Sequence, residues 1–299
     1  MANPVNFPGK IRFLVFLGFA VSTGILWGSV LTGFPAYETG GFQSKQEYLW
    51  TLKGIAFTAK EDFESAARLL EKADRADPKG LPSFYLGRAY REEARMKIVE
   101  WARSRKRLRK DLDPVRIKAL YEKSARAFKA AAENFPNRED IRSELALVLL
   151  NDLEDFSGAE ELLLKSSALK PADWNLRLNL IQIYRSKKLP EKIKELLPVM
   201  FSDPDPDIPA RAQWIKGTLE LDQRNFFAAL QELKKAVRLD SSFKPQYYDL
   251  AKAYQGSEQV PPAVSAYKKF MTAVPQNLRE LKCFLDAEDK REQLKKFLK

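Results

Sequence analysis

The chain contains no histidine and a single cysteine, Cys283. Without histidine it lacks the commonest general base and the commonest metal ligand. One cysteine can form neither an internal disulfide nor a cysteine-cluster metal site. With 13 glycines and 17 prolines in 299 residues, it is too poor in both to be a disordered chain. It has no phosphate-cradling glycine loop, nucleophile elbow or dinucleotide fingerprint. Asp203, Asp205 and Asp207 alternate like the opening of a calcium loop. Ile208 and Trp214 stand where such a loop needs glycine and glutamate, so the stretch reads as a turn. No catalytic, metal-binding or cofactor-binding residues are assigned, and the chain is not expected to be an enzyme.

What the chain does have is positive charge. Its formal net charge is +11, a balance that favours acidic proteins, anionic lipid or nucleic acid as partners. From Phe13 to Ala36 no residue is charged. A helix over Phe13–Phe34 would measure about 33 Å, enough to cross a hydrocarbon core of about 30 Å. The run is longer than the apolar core of a cleavable signal peptide, about 7–15 residues. Residues 1–12 therefore read as a short tail, 13–36 as a transmembrane helix and 37–46 as a linker broken by Gly40 and Gly41. Lys10 and Arg12 precede the helix closely, whereas Lys45 and Lys53 follow it more distantly. The positive-inside rule then puts the amino terminus in the cytoplasm and the rest outside, in a bacterium the periplasm, with the opposite orientation as the alternative. Ala20, Gly24 and Gly28 lie four apart on one face, a spacing that lets two membrane helices pack closely, so an anchor-mediated homodimer is a candidate.

Residues 47–276 repeat a pattern. Tyr247, Leu250-Ala251 and Tyr254 are followed by Ala263, Tyr267 and Pro275. Gly217 to Ala251, Ala229 to Ala263 and Leu233 to Tyr267 are each 34 residues apart. Upstream, Trp50, Gly54, Phe57, Ala66, Leu70, Ala73 and Pro78 follow the same order. So do Leu86-Gly87, Tyr90, Tyr121, Phe128, Ala131 and Pro136, and then Leu145-Ala146, Leu149, Ala159, Leu163 and Pro171. A fourth copy, Leu180, Tyr184, Ile193 and Leu197, is degenerate. The spacing and residue types resemble the tetratricopeptide repeat, a helix–turn–helix unit of about 34 residues. Leu70 departs from the aromatic residue that the family pattern places there. The resemblance implies an all-α solenoid of about six repeats, because one helix pair cannot bury its apolar face alone. Residues 277–299, with Leu278, Leu281, Leu285, Leu294 and Leu298, read as a capping helix. Cys283 within it reads as a small apolar residue.

One segment exceeds the repeat. Pro78 and Pro136 are 58 residues apart, so about two dozen residues, near 96–120, are inserted between the helices of the second repeat. Arg103, Arg105, Lys106, Arg107, Arg109 and Lys110 make six basic residues in eight. Ala94, Ile98, Trp101, Leu108 and Leu112 continue an apolar helical stripe across them. Asp113-Pro114 reads as a cap with a first-turn proline. The expected result is a hairpin projecting from the array, positive at its tip. A solvated face, anionic phospholipid and an acidic protein are the readings of that charge. Nucleic acid ranks behind them, since no aromatic platform or base-reading motif accompanies the basic run.

The resemblance also implies a peptide groove lined by the first helix of each repeat. In this register it contains Arg88, Arg91, Asn175, Gln182, Arg185, Arg211, Trp214, Tyr248, Lys252 and Gln255. Such residues can hold peptide backbones and carboxylates and give aromatic anchors. The chaperone-binding members use a lysine–asparagine clamp in their first repeats; Thr51 and Ile55 stand there, which speaks against that activity. The expectation is a membrane-anchored scaffold that recruits another protein within a bacterial envelope assembly. The alternatives are a cytosol-facing receptor or assembly factor, or an anionic-lipid-binding module acting through the insertion.

Overall fold

The computed structural model describes residues 45–78, 81–104, 111–170 and 173–298. The anchor with Ala20, Gly24 and Gly28, most of the linker, Pro171, and Arg105, Lys106, Arg107, Arg109 and Lys110 lie outside the described residues. Among the described residues no helix is long and apolar enough to cross a membrane.

Thirteen α-helices follow one another among the described residues. Six successive pairs are α1 Lys45–Ala59 with α2 Phe63–Ala76, α3 Pro82–Arg103 with α4 Pro114–Asn134, and α5 Glu139–Val148 with α6 Phe156–Leu169. Then come α7 Trp174–Ser186 with α8 Pro190–Phe201, α9 Asp207–Asp222 with α10 Phe226–Leu239, and α11 Pro245–Gly256 with α12 Val260–Phe270. Helix α13, Leu278–Lys295, comes last, and α5 is continued by a π-helical turn, Leu149–Leu153. The chain forms two compact units: one ends at Glu93 and includes Glu122–Ile141, the other holds Ala94–Tyr121 and everything from Arg142.

The pairs close because a small residue on the first helix faces a large one on the second. A Cβ at Gly54 would lie 2.4 Å from Leu70 Cγ, and one at Gly217 would lie 2.7 Å from Leu233 Cγ. Glycine removes that clash and lets the helix axes close in. In the first unit, Gly87 meets the ring of Phe128 in the same way, and Ser124 Oγ donates to the Gly87 carbonyl at 2.7 Å.

The turn within five of the six pairs is also one structure. Glu61, Glu154, Lys188, Arg224 and Glu258 all adopt left-handed backbone, φ between 57° and 64°. The next residue donates its amide to a carbonyl five or six positions back: Asp62 to Phe57, Asp155 to Leu149, Leu189 to Tyr184, Asn225 to Glu220 and Gln259 to Tyr254, at 2.8–3.0 Å. These bonds satisfy carbonyls that a helix end leaves orphaned. Asp62 and Asp155 then cap the second helix by accepting from Ser65 and Gly158, as N-cap carboxylates do. The connection of the second pair runs through residues 105–110, outside the described residues. Pro275 does not end α12, which stops at Phe270 through a turn over Met271–Ala273.

The core of the second unit runs continuously from Ala146 through Leu163, Ile183 and Ile193 to Ile215 and Leu219. No pair could keep its apolar face dry alone, so burial is shared between neighbours. The insertion departs from expectation. Helix α3 does run on for 22 residues, and Asp113 caps α4 by accepting from the Arg116 amide. Its base, however, is not a free projection: Ala94 and Ile98 are fully buried and Trp101 is buried. Trp101 packs edge-on against Phe284 of α13, because an apolar stripe extended beyond the repeat needs a surface to cover it.

Candidate functional site

Eight of the expected groove residues lie on the first helices of the pairs in the second unit: Asn175, Gln182 and Arg185 on α7, Arg211 and Trp214 on α9, and Tyr248, Lys252 and Gln255 on α11. Arg185, at the end of α7, donates to Asp222 of α9 through two nitrogens at 2.7 and 3.0 Å, a bidentate fork. It also reaches Asp249 of α11 at 3.5 Å. Trp214 of α9 donates its indole N–H to the other oxygen of Asp249 at 2.8 Å. Asp249 is buried, so its charge is held by these two donors. Burial disfavours the Arg185 cation, yet Asp249 and Asp222 outweigh it and hold its pKa above the ordinary value.

Helix α13 lies on this face. Its first amide, Leu278 N–H, donates to Asp152 Oδ1 at 2.9 Å. Lys282 pairs with Glu154 at 2.6 Å. One turn on, Asp286 accepts from Tyr248 Oη at 2.7 Å, and the ammonium groups of Lys252 and Lys290 stand 5.4 and 6.0 Å from the centre of the Tyr248 ring. Arg95 of α3 donates to Gln276 at 2.9 Å, just ahead of the helix. Leu278, Leu281, Phe284 and Ala287, spaced by three, are the buried stripe. Burying leucine- or phenylalanine-sized side chains contributes about 1.5–3 kcal/mol each. Thus α13 packs on α12 and α11, as a cap would, and also reaches back to the π turn of the third pair. Cys283 is half-buried there, and burial pushes its thiol pKa up, away from reactivity.

The structure brings together Arg185, Trp214, Tyr248 and Lys252 around Asp249 and α13. Gln182 lies on α7 and donates to Asn151 at 3.0 Å. Others face elsewhere. Arg211 pairs with Asp240 at 2.9 Å and stacks on Phe243; Gln255 turns toward α12 and accepts from Tyr267. Asn175 is exposed at the start of α7, its amide donating to the Asp173 cap. In the first unit, Arg88 is exposed near the ring of Phe84 and Arg91 meets Glu92 at 3.2 Å. Thr51 is fully buried and donates to the Glu47 carbonyl. Of the basic run, Arg103 closes α3. Asp203 and Asp205 serve a turn, each accepting the amide two residues on at 3.0 Å.

Sequence reasoning missed Asp152, Glu154 and Asp249. The one signal was an acid set between Tyr248 and Leu250, inside an otherwise apolar first helix.

No family model matches the sequence, and no curated protein matches it. Among solved structures, the chain is similar to TTC0263, a thermophilic TPR protein of Thermus thermophilus, at 20% identity over 58% of this chain and 94% of that one, with a TM-score of 0.43. It is similar to the APC/C hetero-tetramer Cut9–Hcn1 at 16% identity over 93% of this chain, TM-score 0.48, and to Naa15/Naa10 bound to HypK-THB at 18% identity over 81%, TM-score 0.43. It spans only 46% and 34% of those two longer chains. At these identities the likeness is one of fold alone.

Proposed function

We propose that this protein is a non-enzymatic scaffold that binds another protein and is tethered to a membrane by residues 13–36, in a bacterium with its repeats in the periplasm. The observation that carries the binding role is α13 itself. An 18-residue helix rests on the first-helix face through a backbone amide, a salt bridge, a tyrosine hydroxyl and an apolar stripe. That face therefore has the shape and the polar groups to hold a helical polypeptide. The tether is supported by the uncharged run and its length, and the orientation by Lys10 and Arg12.

Tethered by a short connection, α13 acts at an effective concentration in the millimolar range. A partner present at micromolar concentration with equal intrinsic affinity would be outcompeted about a thousandfold. The proposed face is therefore closed at rest and is reached by a partner that binds more tightly than α13, or when α13 is loosened.

Photo-crosslinking from Lys252 in the full chain, in native membranes, tests this. The expected result is an adduct to a second polypeptide that increases when Lys282→Glu sets two carboxylates against each other at Glu154. Adducts confined to the chain's own α13, unchanged by that variant, would refute the binding role of this face. Protease protection in spheroplasts tests the orientation: digestion of the repeats while the inner membrane is still sealed supports the periplasmic placement, and protection until that membrane is lysed would refute it.

A further inference from the structure

Helix α11 also borders a cleft on the side away from α13. While Tyr248 faces α13, Tyr247, Leu250 and Tyr254 turn toward α10 and α12 and line a cleft of about 340 Å³. Its apolar lining includes Val237, Leu250, Pro262 and Ala266. Its charged lining is of one sign: Lys234 and Arg238 from α10, and Lys269 from α12, with no carboxylate beside them. None of the three has a carboxylate partner among the described residues. Their neighbours do: Lys235, next to Lys234, pairs with Glu232 at 3.2 Å, and Lys216 pairs with the same carboxylate at 3.3 Å.

The cations are aimed by aromatic rings. Lys234 stands 5.1 Å from the centre of the Tyr254 ring, and Lys269 stands 5.3 Å from that of Tyr247. Ring faces attract ammonium groups but leave their hydrogen-bond donors free. Arg238 and Lys269 lie in the last turns of their helices, where a cation also complements the helix dipole. That accounts for two of the three. Lys234 is in the interior of α10 and has no such role.

From this juxtaposition of an apolar floor and an unneutralised basic rim, we infer that the α10–α11–α12 cleft is a docking site for an acidic peptide segment carrying one large apolar side chain. The apolar side chain enters between Leu250 and Ala266, and flanking carboxylates meet Lys234, Arg238 and Lys269. The volume suits one or two side chains rather than a folded surface. The site is separate from the face under α13 and does not depend on it being occupied or open.

The test is fluorescence anisotropy on the full chain in mild detergent, with a labelled peptide of four glutamates flanking a central Leu-Phe pair. Binding is expected to weaken about tenfold or more in the Lys234→Glu/Arg238→Glu/Lys269→Glu variant, and on raising salt from about 0.1 M to 1 M, where screening shortens from about 10 Å to 3 Å. Ser265→Trp, placed on the rim without altering charge, is expected to weaken it comparably. Helix content and melting, followed by circular dichroism, should be retained in both. Binding unchanged by both variants would overturn the inference. So would equal binding of a peptide with Ser-Ser in place of Leu-Phe, which would mean a general response to net positive charge. Loss of folding in the triple variant leaves Ser265→Trp to decide.

Discussion

The backbone amide of Leu278 donates to a carboxylate oxygen of Asp152 across 126 positions of sequence, at 2.9 Å. This bond fixes the start of α13 on the end of the third pair. It places a negative charge at a helix amino terminus, where exposed N–H groups and the dipole favour it.

Asp152→Ala should therefore loosen α13 before it affects the rest. Leaving a buried amide unsatisfied costs about 1–3 kcal/mol. Hydrogen exchange should quicken in residues 278–287 by roughly ten- to a hundredfold, with α9 and α10 unchanged. Equal protection in the variant would show that the bond does not hold the helix.

Arg185→Met removes the bidentate partner of Asp222 and, with it, the only cation the described residues hold within 4 Å of Asp249, leaving that buried carboxylate to the Trp214 indole. Breaking one side of a buried ion pair typically costs about 3–5 kcal/mol. The double variant Arg185→Met/Asp249→Leu should recover a large part of that loss, because the uncompensated charge goes with it. Urea denaturation of the double variant and of each single variant, Arg185→Met and Asp249→Leu, measures the coupling. A double variant no better than the single would place the destabilisation in lost packing instead.

At Gly217 an added side chain has little room to escape, since the backbone nitrogen of Leu233 lies 3.1 Å from the Cβ position. Gly217→Val should cost about 1–3 kcal/mol through overpacking. By contrast Arg224→Gly should be neutral or stabilising by up to about 1 kcal/mol. The left-handed backbone there costs an L-residue about that much, partly offset by the extra freedom glycine has when unfolded. Thermal melts of the two variants should shift in opposite directions or leave Arg224→Gly in place; a large loss at Arg224 would mean its side chain is needed.

Ser242 and Arg211 hydrogen-bond the carboxyl of Asp240 and hold its pKa at about 2, below its ordinary 3.8. A depressed folded-state pKa gives stability that is complete above the unfolded value and is lost as pH falls through the folded one. Asp240→Asn should thus weaken the protein at neutral pH and flatten its acid limb between about pH 4 and pH 2. Denaturation midpoints followed through that window measure the slope; parallel limbs would rule the contribution out.

The repeat register was legible because it is chemically local. Gly54 with Leu70 and Gly217 with Leu233 mark the same small-against-large contact at a separation of 16 residues, and the insertion stretches the equivalent pair, Gly87 with Phe128, to 41. The left-handed turns were not legible, since Glu61, Lys188 and Arg224 carry none of the glycine or asparagine chemistry that announces such backbone. The insertion was visible as excess length and charge, but the packing of its base was not. Trp101 finds Phe284 far along the chain, and periodicity reports a buried stripe without naming what buries it.

Sequence alone determined the helix pairs, their number and the small–large seams that join them. These follow from side-chain size at recurring positions, and each pair is specified within its own segment. Only the tertiary structure decided that α13 lies on the first-helix face of the second unit, that Asp249 is shared by Arg185 and Trp214, and that three cations surround an apolar cleft. Those arrangements depend on where stacked pairs bring distant residues, a sum of many small packing angles that no local pattern encodes.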